Sequence, residues 1–223
     1  MTPESRPLPL GTLIALGSAW GLAEAGLGLG LDACARAISG SVMTGVALFF
    51  ISAAWARTKR VAAPVIVTAI AVAFKLFDAV WLGQPVMSGK IGNPMFAFVT
   101  EAAAFVAIAV LIAEAWRKGV AGRIALGGLS ALAAVNLFPL VRFATGVPAC
   151  VAPGSSMPLS LVYAPIAVAL SAATVPLGFL AAAKLEAYEG RIAAAPSAGT
   201  LRWLAPAAAL VLCLAAQSLI RIL

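Results

Sequence analysis

The sequence predicts an all-α fold: a polytopic transmembrane helical bundle with seven spans, or six as the alternative. Of its 223 residues, 63% are hydrophobic and only 10% are charged, whereas an ordinary soluble domain has about 25% charged residues. The mean hydropathy is +1.05. Because a transmembrane helix needs about 20 apolar residues, we expect residues 1–223 to form a single integral membrane domain without a separate aqueous domain.

Apolar windows place the spans along the chain. They cover about residues 8–31, 38–56, 61–82, 94–113, 124–145, 159–182 and 203–223. The first contains two ridges of small residues at intervals of four, Ala15-Ala19-Ala23 and Gly17-Gly21, and such ridges favour close helix packing. The second window is among the shortest, and the third carries two charged residues near its end.

Local signals support the later spans. Pro94 suits the first turn of span four, with Asn93 as its cap. The last span runs to the C-terminus, where we expect Arg221 to be an interfacial anchor. Prolines within spans five and six predict kinks that free backbone carbonyls: Pro139, Pro165 and Pro176.

Basic residues indicate the orientation. They concentrate at the N-terminus and in alternate loops, at Arg6, Arg57, Lys59, Arg60, Arg117, Lys118, Arg123, Lys184, Arg191 and Arg202. The opposite loops hold only Arg36 and Lys90. Since short loops rich in lysine and arginine stay cytoplasmic, we expect a cytoplasmic N-terminus. The net charge of +7 is then a topology signal, and we expect no nucleic-acid partner.

The chain lacks the residues that several kinds of chemistry require. The chain has no histidine, which removes imidazole-ligated haem, zinc, copper and iron sites and histidine-based catalysis. Its three cysteines include no CxxC pair, and no phosphate-binding loop is present. An intramembrane aspartyl protease needs two facing aspartates, but only Asp78 lies within a span. We therefore expect no cofactor, no metal and no catalysis.

Five charged residues lie inside the predicted spans: Glu24, Lys75, Asp78, Glu101 and Arg142. A charge in hydrocarbon costs several kcal/mol unless it is paired or hydrated. At 1.5 Å per helical residue, all five fall in one layer beneath the non-cytoplasmic surface. They are therefore expected to act together.

Two main interpretations of this layer remain open, and a path for ions or protons is a third. Three acids and two bases nearly cancel, which fits a structural ion-pair network in which Lys75 pairs with Asp78, and Glu24 or Glu101 with Arg142. The same residues also fit an outward-facing substrate pocket. The further substrate-binding candidates are Trp20 and Trp81, which share helix faces with Glu24 and Asp78, and Asn93, at the start of span four.

The cysteines predict one covalent link. Cys34 and Cys150 both fall in loops on the predicted non-cytoplasmic side, where an oxidising compartment would allow a disulfide between them. Cys213 lies within an apolar helix, and we expect it to be a small buried residue.

The small-residue run Ala15-Ala19-Ala23, the compact hydrophobic body with short loops, and the polar layer beneath the outer surface resemble the substrate-binding S components of energy-coupling factor transporters. In that family a six-helix membrane protein binds its ligand near the outer face. Small residues of its first helix contact a transmembrane partner that is driven by two ATPases. The resemblance implies that Ala15, Ala19 and Ala23 form a partner-contact ridge; a seventh span departs from the family.

These observations predict an integral membrane small-molecule-binding or transport subunit that works with partner proteins in the lipid bilayer. We expect transmembrane and ATPase partner subunits, an unidentified small-molecule ligand, and a bacterial inner (cytoplasmic) membrane. The alternative is a non-catalytic structural or assembly subunit of a larger membrane complex, in which the intramembrane charges form a structural ion-pair network.

Overall fold

The computed structural model describes residues 8–30, 38–112, 118–193 and 198–222. The helices are α1 (Leu10–Gly30), α2 (Ser39–Thr58), α3 (Ala62–Trp81), α4 (Gly92–Leu111), α5 (Val120–Leu137), α6 (Val141–Thr145), α7 (Leu159–Val162), α8 (Ala164–Ala193) and α9 (Ala198–Ile222). Within this part of the chain, seven segments are long and apolar enough to cross a membrane, α5 and α6 together forming one of them. The all-α bundle with seven spans is thus confirmed.

The prolines act differently from one another. Pro139 lies in a 3-10 turn, Phe138–Leu140, which separates α5 from α6. Pro176 lies inside α8. Pro165 is in the first turn of α8, where a missing N–H is tolerated, so the predicted kink at Pro165 is wrong.

Helix α8 also continues past the predicted end at residue 182, because its polar last turns pair with α2 instead of lying in hydrocarbon.

Glycines allow the central helices to approach closely. Helix α2 packs against α1, α3, α4, α5 and α8. A Cβ added at Gly178 of α8 would lie 2.1 Å from the Ser52 Oγ of α2, and one at Gly127 of α5 would lie 2.2 Å from the Ser171 carbonyl oxygen of α8. The Thr174 hydroxyl donates to the Gly45 carbonyl at 2.7 Å. These contacts fix α2, α5 and α8 as one packed unit.

The Gly17-Gly21 ridge is used within the chain. A Cβ at Gly17 would lie 2.6 Å from the Cβ of Ile70, and one at Gly21 would lie 2.3 Å from the Cγ of Phe74, both on α3. This ridge therefore brings α1 and α3 together and holds Glu24 of α1 beside the charged residues of α3.

Helix α9 lies at the edge of the bundle. It packs mainly against α1, and most of its large side chains are exposed on the protein, as lipid-facing residues of a membrane helix are. Gln217 is the exception, with 1% of its surface exposed. The helix thus packs along α1, and polar residues near its end add hydrogen bonds to α3.

At one end of the bundle, which we call the basic end, α2 and α8 are joined by ion pairs. Arg57 of α2 contacts Glu189 and lies 3.5 Å from Glu186, both on α8. Lys59 and Arg123 both lie over the Phe179 ring, at 5.0 Å and 4.8 Å from its centroid. The connections 82–91 and 146–158 lie at the opposite end, which we call the pocket end.

Candidate functional site

A cavity of about 810 Å³ opens among the helices at the pocket end; we call it the end pocket. Its wall comes from α1, α2, α3, α4, α5, α7 and α9, from the 3-10 turn after α5, and from the connections 82–91 and 146–158. Among the described residues, its charged lining consists of Glu24, Lys75, Lys90, Glu101 and Arg221. Three of the five intramembrane charges thus line one cavity, as the depth argument expects.

A chain of ion pairs forms one side of this pocket. Lys75 Nζ lies 3.6 Å from Glu24 Oε1 and 3.6 Å from Asp78 Oδ2. Asp78 also accepts hydrogen bonds from Arg221, at 2.9 Å from Nε and 2.6 Å from Nη2. We call Glu24, Lys75, Asp78 and Arg221 the ion chain. Its two acids and two bases balance, so it satisfies its own charges.

Arg221 is therefore not an interfacial anchor, and that prediction is wrong. Its side chain is only 9% exposed. The Gln217 amide lies one helical turn earlier and donates to Asp78 Oδ1 at 2.8 Å and to the Phe74 carbonyl at 3.0 Å. A buried carboxylate at 1% exposure needs such donors, so tertiary contact with α3 overrides the position of Arg221 near the chain terminus.

Glu101 stands apart from the ion chain. It lies on α4, lines the end pocket and is 4% exposed. None of the described lysines or arginines pairs with it. Its polar neighbour is the hydroxyl of Thr44, which itself donates to the Gly40 carbonyl at 3.0 Å. Glu101 is thus a buried acid beside open space without a described counter-ion.

Arg142 does not join the layer. It is exposed and stacks on the neighbouring Phe143, with its guanidinium 4.5 Å from the ring. The 3-10 turn around Pro139 ends α5, and Arg142 lies in the separate short helix α6, which turns it away from the pocket. The predicted pairing of Arg142 with Glu24 or Glu101 is wrong for this reason.

The other predicted site residues have different surroundings. Trp20 is 1% exposed and packs on Phe98 at 4.9 Å, so it supports a wall residue of the pocket from behind. Trp81 is 45% exposed and stacks on Phe77 instead of lining the pocket. Asn93 does line it. Asn93 is not a cap, because α4 begins one residue earlier and the Thr145 hydroxyl donates to its side chain.

The alanine ridge on α1 is half-buried. Ala15, Ala19 and Ala23 each keep intermediate exposure. Gly26, three residues after Ala23, would place a Cβ 4.0 Å from Ile220 of α9. Helix α9 therefore lies beside the same face, and contact of this ridge with a partner subunit stays a prediction.

The disulfide prediction involves Cys34, which lies outside the described residues. Cys150 takes part in a disulfide and lines the end pocket. Cys213 is a free thiol of intermediate exposure, less buried than expected because α9 has few neighbours. The pairing of Cys34 with Cys150 stays a prediction.

Sequence reasoning missed four polar groups of this site. Gln217 and Arg221 hold Asp78, and the uncharged polar Gln217 inside the last span was the available signal. Ser88 and Ser160 both line the pocket, and each has a buried hydroxyl oxygen without a hydrogen-bond partner in the part of the chain that the structure describes. Serines are too frequent in such a chain to be singled out from sequence.

Comparison of the chain with models of protein families, with curated proteins and with solved structures finds no match. The resemblance to S components of energy-coupling factor transporters therefore stays a prediction. The residues of the end pocket carry the functional interpretation that follows.

Proposed function

We propose that the chain is a membrane-embedded subunit that binds a small organic molecule in the end pocket, for transport or delivery, without catalysing a reaction. The observation that carries the proposal is Glu101, a buried carboxyl group without a described counter-ion, in a cavity of about 810 Å³. Small-molecule sites typically enclose about 300–1,000 Å³ and combine apolar walls with a few placed polar groups.

The cost of burying Glu101 supports a binding role. A buried ionised group without a partner is strongly unfavourable, and the ion chain shows that this fold pairs its other buried acids. Ser88 and Ser160 add unpartnered hydroxyl oxygens to the same cavity. A bound ligand would supply the partner that Glu101 lacks.

The distribution of basic residues supports an outward-facing pocket. Arg57, Lys59, Arg60 and Lys118 lie at the basic end, whereas Lys90 is at the pocket end. By the positive-inside rule, the N-terminus is then cytoplasmic and the ligand enters from outside. We propose a bacterial inner membrane and energy-supplying partner subunits on the same grounds as the resemblance described above.

Native mass spectrometry of the protein purified gently from its own host tests this proposal. We expect the wild-type protein to retain a non-lipid small molecule that is lost in Glu24→Gln and Glu101→Gln. The matched control is Glu186→Gln, which neutralises a carboxylate at the basic end, 64% exposed, and should retain the ligand. Folded Glu24→Gln and Glu101→Gln proteins that both retain the wild-type ligand would contradict the proposal.

The second candidate function is a structural or assembly subunit, and the self-neutral ion chain favours it. Its four charges join α1, α3 and α9 without any ligand. In this case Ala19→Leu should disrupt assembly with a larger complex, because it enlarges the half-buried ridge on α1, and should leave ligand binding unaffected. Blue native electrophoresis of solubilised membranes distinguishes the two candidates.

A further inference from the structure

We propose that the ligand is an amphipathic organic amine whose cationic nitrogen contacts Glu101. This inference rests on the function proposed above and specifies the ligand class of the same pocket. It follows from the charges that line the cavity, from their depth, and from the size and composition of the walls.

The charge balance identifies the group that needs a partner. Within the ion chain, Lys75 is shared by Glu24 and Asp78, and Arg221 is held by Asp78. The pocket lining adds two charges outside this chain, Glu101 and Lys90. Glu101 is buried and Lys90 is exposed, so bulk water solvates Lys90 far better than it solvates Glu101. The unmet electrostatic demand is therefore for a positive group at Glu101.

Depth along α4 separates these two charges. Glu101 lies nine residues after Gly92, where α4 begins, which corresponds to about 14 Å along the helix axis. Lys90 belongs to the connection just before that helix. The pocket thus has a carboxyl group at its floor and a positive charge at its rim, and a ligand with one cationic end enters with that end first, where it can pair with the ionised form of Glu101.

The walls favour an organic ligand over a bare cation. They include Phe98, Val135, Phe138, Leu159 and Ile220, which are surfaces for an apolar body. Among the described residues, no group of three or more acidic or cysteine side chains is arranged to hold a metal ion. A bare cation would occupy a small fraction of about 810 Å³, whereas an amine with an apolar body fills the cavity and satisfies Glu101.

Lys90 and the two serines indicate which chemical groups fit at the other end of the ligand. Lys90 at the rim repels a second cationic group and attracts an anionic or uncharged acceptor. Ser88 and Ser160 also line the pocket, and a serine hydroxyl can donate a hydrogen bond to such an acceptor. We therefore expect a single amine, with any acceptor group at the opposite end of the molecule.

Three probes with one skeleton test the inference: phenylbutylamine, phenylbutanol and phenylbutyrate. Their binding to the purified full-length protein is measured by equilibrium dialysis in detergent. We expect the amine to bind the wild-type protein at least roughly tenfold more tightly than the alcohol, with phenylbutyrate weakest. In Glu101→Gln this preference should fall to about twofold or less, because the amide has no charge.

Two further variants control for misfolding and for non-specific partition of the amine into detergent. Glu101→Asp keeps the carboxylate and should keep the preference for the amine, whereas Glu186→Gln removes a carboxylate at the basic end and should behave as wild type. Tightest binding of phenylbutyrate, an amine preference that survives in folded Glu101→Gln, or no binding of any probe would each overturn the inference.

The native ligand separates failure of this inference from failure of the proposed function. If the probes show no preference for the amine but a retained molecule is lost in Glu24→Gln and Glu101→Gln, the binding function stands and the amine class is wrong. If neither the probes nor a retained molecule depend on these residues, both proposals fail.

Discussion

Replacement of Asp78 by asparagine should destabilise the protein more than any other single charge neutralisation at the pocket end. Asp78 is 1% exposed and is the common partner of Lys75, Gln217 and Arg221. In the asparagine variant, the retained carbonyl oxygen can still accept from Gln217 and from Arg221 Nε. The new NH₂ group would face Arg221 Nη2, which now donates to Oδ2, and Lys75 Nζ, which lies 3.6 Å from Oδ2.

The magnitude follows from the loss of one partner of a buried ion pair, which costs about 3–5 kcal/mol because the other charge stays buried. Unfolding by sodium dodecyl sulfate in mixed micelles, followed by tryptophan fluorescence, measures the free energy. The control is Glu186→Gln, whose side chain is 64% exposed and should change stability by about 1 kcal/mol or less.

A double variant tests whether the uncompensated arginine is the cause. Arg221→Gln added to Asp78→Asn should destabilise by less than the sum of the two single changes, because the two residues interact directly. A loss below about 1 kcal/mol for Asp78→Asn, or strict additivity with Arg221→Gln, would refute the role assigned to the ion chain.

Three further outcomes are expected. Gly21→Ala should lower the free energy of unfolding by about 1–3 kcal/mol, since its Cβ would lie 2.3 Å from Phe74 Cγ. The control Gly190→Ala, in open space on α8, should not lower it. Equal free energies of unfolding for the two variants, measured in detergent, would contradict the packing of α1 on α3. Maleimide labelling of the denatured, unreduced protein should modify Cys213 alone, and reduction should expose Cys34 and Cys150; labelling of all the cysteines before reduction would exclude the predicted disulfide. In intact cells, a membrane-impermeant maleimide should react with Lys90→Cys and reach Lys118→Cys only after permeabilisation, and the reverse pattern would invert the proposed orientation.

The spans and their charged layer were predictable from sequence because hydropathy and helical rise depend only on residue type and position. Glu24, Lys75 and Asp78 follow this rule, and their spacing along α1 and α3 places them at one depth. Glu101 reaches the same cavity from α4. The depth of a residue in a helical membrane protein is thus a local property of its span.

Rotation about the helix axis and the choice of partner depend on tertiary packing, and here the sequence reasoning failed. Arg142 lies within the fifth candidate span, as expected, but the turn at Pro139 redirects it to the surface. Arg221, treated as a terminal anchor, inserts into the bundle because Asp78 needs donors that its own helix supplies only in part. Trp81 shares a helix with Asp78 and still faces outward, since a separation of three residues rotates it by about 60°.

A crystal structure of the protein purified from its own membranes tests the central claim most directly. The account predicts non-protein density inside the end pocket, in contact with the Glu101 carboxyl group and bounded by Phe98, and the loss of that density in Glu101→Gln. An end pocket closed by its own side chains, or density that persists unchanged in Glu101→Gln, would contradict the assignment of this cavity as a ligand site.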